Sequence, residues 1–236
     1  SVPYAGNFED PERLTAKARE VGAKLIYIAN PDNPMGSHHD AATLQRMISH
    51  IPDGCLLILD EAYIDLAPDG TAPYVAPHDD RVIRMRTFSK AYGLAGARVG
   101  YAIGPQPLIA AFDRVRNHFG MARLSQIAAL AALQDQDWLA HVQTQVAVAR
   151  DRLAAVALDN GLTPLPSATN FVTMDCGQDG AFARRVVKTL GDAGIFVRMP
   201  FVAPHDRCIR VSCGPEADIM AFAAALPTAL ANARTT

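Results

Sequence analysis

The chain has 236 residues, of which 50% are hydrophobic and 19% charged, which is enough apolar material for one large domain or two small ones. Its formal net charge of -2 supplies no basic surface, so we predict neither nucleic acid nor a membrane as a partner. The longest apolar runs, such as residues 55–59, are far shorter than the roughly 20 residues of a membrane-spanning helix. The opening SVPYAGNFEDPERL has no basic stretch followed by an apolar one, so no signal peptide is predicted.

The cysteines form no Cys-x-x-Cys pair and lie among apolar, strand-like residues at positions 55, 176, 208 and 213. This pattern favours buried free thiols and a cytoplasmic location, where thiols stay reduced. The adjacent His38 and His39 have no acidic or cysteine partner at metal-ligand spacing. We therefore predict a solvated helix start at the two histidines and no bound metal.

The first half of the chain alternates helices and strands. An Asp-Pro cap signal predicts a helix over residues 11–21. The run KLIYIAN, residues 24–30, predicts a strand buried on both faces, and a Pro- and Asn-rich turn separates it from a helix over 41–51. Further strands are predicted at 55–63, 81–90 and 98–104. The loop between the last two is too short for a crossover helix, so we expect them to be antiparallel neighbours in an otherwise parallel sheet.

The second half begins with a long helical region. Residues 107–161 are rich in Ala, Leu, Gln and Arg, and 137–160 predict one long helix. A smaller unit follows the prolines at 164 and 166. Its predicted elements are a strand at 170–174, a helix at 180–193, short strands near 195–198 and 208–212, and a final Ala-rich helix.

These elements predict an α/β fold with a mostly parallel sheet and a smaller C-terminal α+β domain. The predicted domain bounds are 1–136 for the large domain, 137–161 for a bridging helix and 162–236 for the small domain.

Polar side chains that can bind ligands or take part in chemistry lie at the ends of the predicted strands. Asn33 follows the first strand, Asp60 and Tyr63 end the second, and Lys90 ends the third. Taken singly, these residues could belong to a turn, a helix cap or a charged surface. Ligands of open α/β sheets bind at the carboxyl ends of strands, so the joint placement favours a binding site.

Four segments carry a resemblance to a known family: ANPDNPMG (29–36), LDEAYIDL (59–66), TFSKAYGLAGARVGYAIG (87–104) and IRVSCG (209–214). Together they resemble the fold-type I aminotransferases that depend on pyridoxal 5'-phosphate (PLP), and most closely the histidinol-phosphate aminotransferase branch. The resemblance implies a PLP-transferase-like large domain and PLP as the cofactor.

The resemblance also implies roles at the cofactor. Lys90 matches the lysine that attaches PLP covalently, and Asp60 matches the carboxylate beside the ring nitrogen, which favours the protonated form by charge pairing. The positions matching groups at the ring oxygen are Asn33 and Tyr63, and those matching groups at the phosphate are Thr87, Ser89 and Arg98.

Three further positions match substrate-binding residues. Arg210 matches the arginine that binds the substrate α-carboxylate, a group that suits a guanidinium fork. Arg198 matches a position that helps to bind the substrate phosphate in the histidinol-phosphate branch, and Asn170 matches an asparagine near the substrate. A surface arginine is the alternative at 210, and a solvated loop arginine at 198.

The function implied is transamination between an amino donor and a 2-oxo acid by a cytoplasmic homodimer of amino-acid biosynthesis. Histidinol phosphate is the first substrate expected, with an aromatic amino acid as the alternative. A PLP-dependent decarboxylase of the same fold and a non-catalytic PLP-binding module or fragment stay open. Family members also carry a region before the equivalent of Val2, with a phosphate-binding loop and an aromatic residue that stacks on the ring, so the sequence is expected to match the later two-thirds of such an enzyme.

Overall fold

The computed structural model describes residues 1–76 and 78–235, and the chain divides into two compact units. Unit 1 comprises Ser1–Asp32 and His38–Val142, and unit 2 comprises Asn33–Ser37 and the chain from Gln143 onward. The predicted domain bounds of 1–136, 137–161 and 162–236 are not tested by this division and stay a prediction.

Unit 1 contains a four-stranded sheet in the order β1-β2-β3-β4. Strands β1, β2 and β3 are parallel and β4 is antiparallel to β3, which confirms the predicted topology. The elements are α1 Pro11–Val21, β1 Leu25–Ala29, α2 Ala41–Ser49, β2 Leu56–Asp60, β3 Val82–Thr87, β4 Gly100–Ile103, α3 Gln106–Phe112 and α4 Arg123–Gln134.

Local signals set the ends of the first helices. The Asp10 carboxylate accepts the Arg13 N–H at 2.9 Å at the start of α1, and Gly22 ends this helix with φ of 63°. Asp40 caps α2 in the same way, at 2.7 Å from the Thr43 nitrogen. Both helices pack their apolar faces on one side of the sheet, in a core that includes Ile28, Leu44, Leu57 and Leu59.

The prediction that β1 is buried on both faces is wrong. Ile26 and Ile28 are buried, whereas Leu25 and Tyr27 are 57% and 53% exposed. Since β1 is the edge strand and only one of its faces packs on this core, its side chains alternate between buried and exposed.

Unit 2 contains a three-stranded antiparallel sheet in the order β5-β6-β7. Its elements are β5 Thr163–Pro164, β6 Phe171–Asp175, α6 Gly180–Asp192, β7 Cys208–Ser212 and α7 Glu216–Arg234, preceded by α5 Gln136–Asp159, which begins in unit 1. The sheet and three helices share a core that includes Leu153, Met174, Leu190, Ile209 and Leu226.

One of the helical and strand predictions is confirmed and one is corrected. The long helix predicted over 137–160 is confirmed, since α5 covers Gln136–Asp159. Asp135 separates this helix from α4 and caps it by accepting the Trp138 N–H at 3.0 Å. The strand near 195–198 is reduced to one bridge between Arg198 and Arg210. Two residues further on, Pro200 has no N–H with which to extend the ladder.

The four cysteines are free: three are buried and Cys213 is partly buried. Among the helices of the described chain, none combines the length and the apolar composition that crossing a bilayer requires.

Candidate active site

The carboxyl ends of β2 and β3 form one side of an open pocket in unit 1. Asp60 pairs with Met85 in the parallel register, so the side chains that follow both strands gather at the same edge of the sheet. The pocket has a volume of about 300 Å³. Its lining residues are Asp60, Ala62, Met85, Arg86, Thr87, Ser89, Arg98, Val99 and Gly100. Four of the predicted site residues therefore meet in one cavity.

The Asp60 carboxylate is held by two donors. Its Oδ1 accepts the Ala62 N–H at 2.9 Å, and its Oδ2 accepts the Tyr27 hydroxyl at 2.7 Å. Partial burial, followed by the hydrogen bond to Asp60, raises the pKa of Tyr27 well above its usual range. Tyr27 therefore keeps its proton and acts as the donor.

The end of β3 and the loop after it contribute hydroxyl and guanidinium groups to the lining of the pocket. Thr87 Oγ1 donates to the Val99 carbonyl at 3.3 Å and accepts the Ser89 N–H at 3.0 Å, so this hydroxyl shapes the loop itself. Arg98 has φ of 54°, a left-handed conformation that is uncommon for a side chain other than glycine and typical of functional positions. The Nη1 atom of Arg98 donates a hydrogen bond to the Ala95 carbonyl at 2.9 Å.

Gly100 completes this side of the pocket. A Cβ atom at this position would lie 2.9 Å from the Arg86 carbonyl oxygen, which is closer than packed atoms approach. The close pairing of β3 and β4 beside the pocket therefore requires glycine.

Lys90 and Tyr63 lie outside the lining of this pocket but close to each other. The Lys90 Nζ is 5.2 Å from the centroid of the Tyr63 ring, a cation–π distance. Tyr63 is buried and Lys90 is partly exposed, so the amine stays accessible beside an aromatic wall.

A buried ion-pair network lies next to the pocket and ties β2 to β3. Glu61 is 1% exposed and accepts from Arg84 Nε at 3.0 Å, Arg84 Nη2 at 2.8 Å and Arg86 Nε at 2.8 Å. Arg86 Nη1 also lies 3.8 Å from Asp65 Oδ1. Burial lowers the pKa of Arg86, but the hydrogen bond and charge of Glu61 outweigh it and raise that pKa overall, so this cation keeps its charge.

Two more acidic residues lie near the start of this unit. The Glu9 carboxylate accepts the Ala29 N–H at 2.8 Å, and the Tyr4 hydroxyl lies 3.1 Å from both oxygens of buried Asp32. Burial, reinforced by the charge of Asp32, raises the pKa of Glu9 to about 7. Glu9 is therefore a carboxyl group that titrates near neutral pH.

The remaining predicted site residues belong to unit 2. Arg210, on β7, donates from Nη1 to Asn33 Oδ1, and its guanidinium carbon lies 4.7 Å from the Phe171 ring centroid. Arg198 exchanges two backbone hydrogen bonds with Arg210 and lies 5.5 Å from the Phe196 ring centroid. The Asn170 carbonyl accepts the Cys213 N–H at 2.8 Å. The structure thus groups Arg198 and Arg210 with Asn33. The role of Asn33 at the cofactor stays a prediction.

A glycine holds the segment that carries Asn33. Gly36 has φ of 81°, and a Cβ at this position would lie 2.7 Å from Ser167 Oγ. Thr173 Oγ1 donates to the Pro34 carbonyl at 2.6 Å, and the Ala168 N–H donates to the Gly36 carbonyl at 2.9 Å. These contacts fix the segment on unit 2.

Sequence reasoning missed Tyr27, Glu61, Arg84 and Arg86. The two arginines are two residues apart in a predicted strand, which places both on one face and was an available signal for a charged partner there. Tyr27 was missed because a strand buried on both faces leaves no open face from which a tyrosine could reach a neighbouring strand end.

The fold and the pocket define an α/β protein with a polar pocket at the carboxyl ends of β2 and β3 and a partly exposed lysine in the loop after β3. The sequence pattern named "Aminotransferase class I and II" matches residues 2–226, and the chain belongs to this family. The predicted family resemblance and fold class are thereby confirmed.

Three relatives illustrate the similarity. A crystal structure of histidinol-phosphate aminotransferase from Sinorhizobium meliloti in complex with pyridoxal-5'-phosphate is 50% identical, with a TM-score of 0.96, and the match covers 98% of this chain and 64% of that one. "Histidinol-phosphate aminotransferase 1" of Nitrosococcus oceani is 36% identical over 99% of this chain and 63% of its own length. "Aromatic amino acid aminotransferase" of Mycobacterium sp. (strain KMS) is 36% identical over 87% of this chain and 59% of its own length. The chain thus spans about three fifths of the length of these relatives.

Proposed function

We propose that the full-length protein is a PLP-dependent aminotransferase that transfers an amino group between an amino donor and a 2-oxo acid. The observation that carries this proposal is the pocket at the ends of β2 and β3, whose lining includes Asp60, Ser89 and Arg98. Membership of the aminotransferase family and the PLP bound in the Sinorhizobium relative support PLP as the cofactor.

The donor set of the pocket fits this cofactor. PLP carries a phosphate dianion, a basic ring nitrogen and an aldehyde. The Ser89 hydroxyl and the Arg98 guanidinium, which both line the pocket, suit the phosphate. The Asp60 carboxylate suits a protonated ring nitrogen, and the accessible Lys90 amine suits the aldehyde.

Each residue then has a chemical task. When bound, PLP supplies an electron sink for the negative charge that develops on a substrate carbon as it loses a proton. Asp60 would favour a proton on the ring nitrogen, and Tyr63 would donate a hydrogen bond to the ring oxygen. The family resemblance also assigns Asn33 to this oxygen. Lys90 would hold the cofactor through its amine and, when that amine is free, would carry the proton at the substrate carbon. Thr87 orders the loop that presents Ser89 and Lys90.

Substrate recognition is assigned to unit 2. Arg210 suits a carboxylate through its fork, and Arg198 suits the phosphate of a phosphorylated donor, with Asn170 beside the substrate. Histidinol phosphate is the first substrate proposed, since the 50% identical relative is named for it. An aromatic amino acid is the second, because relatives at 36% identity carry that name.

The assembly and location proposed are a homodimer in the cytoplasm. Free cysteines support a reducing compartment, and exposed apolar side chains on and near α4, at Val115, Phe119, Leu124 and Ile127, support a covered surface. Sedimentation of the full-length protein tests the dimer, and a monomeric sedimentation coefficient at working concentration would contradict it.

The test of the function is an amino-transfer assay with 2-oxoglutarate as acceptor and either histidinol phosphate or phenylalanine as donor. Replacing Arg198 by Ala should weaken the binding of histidinol phosphate roughly tenfold to a hundredfold, because one or more charge-assisted hydrogen bonds to phosphate are lost. The binding of phenylalanine should be almost unchanged.

The matched control is Arg184→Ala, which removes another exposed arginine of the same unit. This variant should bind both donors as the wild type does. Equal losses for both donors at Arg198 would remove the phosphate-binding role. Absence of amino transfer to any 2-oxo acid from either donor would contradict the proposed function.

A further inference from the structure

Asp60 depends on one side chain for its orientation. Of the two donors that hold the carboxylate, the Ala62 N–H belongs to the turn that immediately follows Asp60. The other, the Tyr27 hydroxyl, comes from a different strand and lies 2.7 Å from Oδ2. The orientation of the carboxylate is therefore set by a contact across the sheet.

The strand register explains why Tyr27 reaches Asp60. Ala29 of β1 lies directly opposite Asp60 of β2. Tyr27 is two residues before Ala29, so both point to the same face, while Ile26 and Ile28 fill the core on the other face. A tyrosine at this diagonal position is long enough to reach the neighbouring strand end. Because Tyr27 stands on a strand rather than a loop, its hydroxyl is held in a fixed place.

The acidic groups near Tyr27 make a neutral hydrogen-bond donor suitable at this position. Partial burial is the first cause of the raised pKa of Tyr27, followed by the hydrogen bond and charge of Asp60 and by the charges of Glu9 and Asp32. A neutral O–H donor can satisfy an oxygen of Asp60 without adding a positive charge that would compete with a cationic ring nitrogen. A lysine or arginine at position 27 would instead pair with Asp60 directly.

We propose that Tyr27 is a positioning residue for Asp60: its hydroxyl fixes the carboxylate so that a free lone pair faces the ring nitrogen of the cofactor. The inference rests on the proposed function, because it assigns Asp60 to that nitrogen. It adds a residue of β1 to a site otherwise built from the ends of β2 and β3.

The test uses the full-length protein with pyridoxal 5'-phosphate labelled with ¹⁵N in the ring. We expect Tyr27→Phe to weaken cofactor binding by up to about tenfold, because the Asp60 carboxylate, no longer held by the hydroxyl, must then be ordered when the cofactor binds. The ¹⁵N chemical shift of the bound cofactor should move toward the value of the unprotonated ring, in the same direction as in Asp60→Ala. A thermal melt of each variant reports folding separately from cofactor binding.

Two controls separate positioning from a general effect of losing a hydroxyl. Tyr74→Phe removes a hydroxyl from a tyrosine that is 78% exposed and should change neither the affinity nor the chemical shift. In the Asp60→Ala background, Tyr27→Phe should change the affinity less than about twofold, since its partner is already gone.

The outcomes distinguish the two proposals. If the wild-type protein binds the labelled cofactor and Asp60→Ala moves the ¹⁵N signal while Tyr27→Phe does not, the role of Tyr27 is overturned and the proposed function stands. If Tyr27→Phe weakens binding equally with and without Asp60, the positioning role is also overturned. If the wild-type protein binds no cofactor, the proposed function fails and the role of Tyr27 falls with it.

Discussion

The two units of this chain differ in the kinds of polar side chain that they bury. In the described chain, the fully buried carboxylates Asp32 and Glu61 both belong to unit 1, close to the ends of β1 and β2. In unit 2, the buried polar side chains are Ser37, Thr169, Thr173 and His205, and the centre is filled by residues such as Leu153 and Met174. The unit that holds the candidate pocket therefore keeps charge out of water, and the other unit rests on apolar packing.

This difference shows what a binding edge requires of a fold. Buried charges need partners, and the network around Glu61 supplies two arginines for one carboxylate. The network holds the residues that flank the site, since Glu61 follows Asp60 and Arg86 precedes Thr87. Unit 2 has no comparable demand among its described core residues, and its helices and strands pack as an ordinary hydrophobic core.

The largest effects are expected when one buried side chain is replaced in each unit, Glu61 in unit 1 and Leu153 in unit 2. Glu61→Gln should lower the free energy of unfolding by about 3 kcal/mol, because it leaves buried cationic partners without a counter-charge. Leu153→Ala should cost about 2–5 kcal/mol through lost contacts and a cavity. Urea denaturation of the full-length variants measures both.

A second, apolar variant at each position should separate the two units further. Glu61→Leu should be at least as damaging as Glu61→Gln, whereas Leu153→Met should cost less than about 1.5 kcal/mol, since volume and polarity are kept. Glu20→Gln, at an exposed ion pair with Lys17, and Leu158→Ala, at an exposed helix position, are the matched controls and should change stability by about 0.5 kcal/mol or less. Stabilisation by Glu61→Leu would show that the network is not needed for stability.

A smaller effect is expected from Glu9, whose pKa is raised from 4.5 to about 7 by burial and then by the charge of Asp32. Because the folded state binds this proton more tightly than the unfolded state, the contribution of Glu9 to stability is present below about pH 4.5 and is lost as the pH rises to about 7. Glu9→Gln keeps an oxygen for the Ala29 N–H and removes the charge. This variant should therefore gain about 2 kcal/mol over the wild type at pH 8, after allowance for partial exposure.

The measurement is a pair of unfolding curves, at pH 4.5 and pH 8, for the wild type and for Glu9→Gln. The gain should vanish at the lower pH, where both side chains are neutral. Glu20→Gln, at an exposed position, should show no such gain at pH 8. A difference between Glu9→Gln and the wild type that stays constant with pH would contradict the raised pKa.

Much of unit 1 could be predicted from sequence because its signals are local. The Asp10 cap, the glycine that ends α1 and the short loop before β4 each fix a neighbouring element, and the antiparallel pairing of β3 and β4 followed from loop length alone. The strand-end position of Asp60 followed from the same local pattern.

The contacts that hold Asp60 could not be predicted in this way, because they join residues far apart in sequence. Tyr27 reaches Asp60 across 33 positions, and Arg84 reaches Glu61 across 23. Both contacts depend on strand register, which the separate elements do not give. Asn33 shows the same limit, since its partner Arg210 is 177 positions away.

The proposed chemistry depends above all on Lys90 as the residue that attaches the cofactor, and borohydride reduction of the full-length protein loaded with pyridoxal 5'-phosphate decides this assignment. Reduction fixes the cofactor on the lysine that holds it, and peptide mapping then locates the label. We predict a single label on Lys90, the amine beside Tyr63 in the loop that follows β3. A label on Lys17, Lys24 or Lys188 in place of Lys90, or a cofactor that binds without becoming fixed to any lysine, would contradict the assignment.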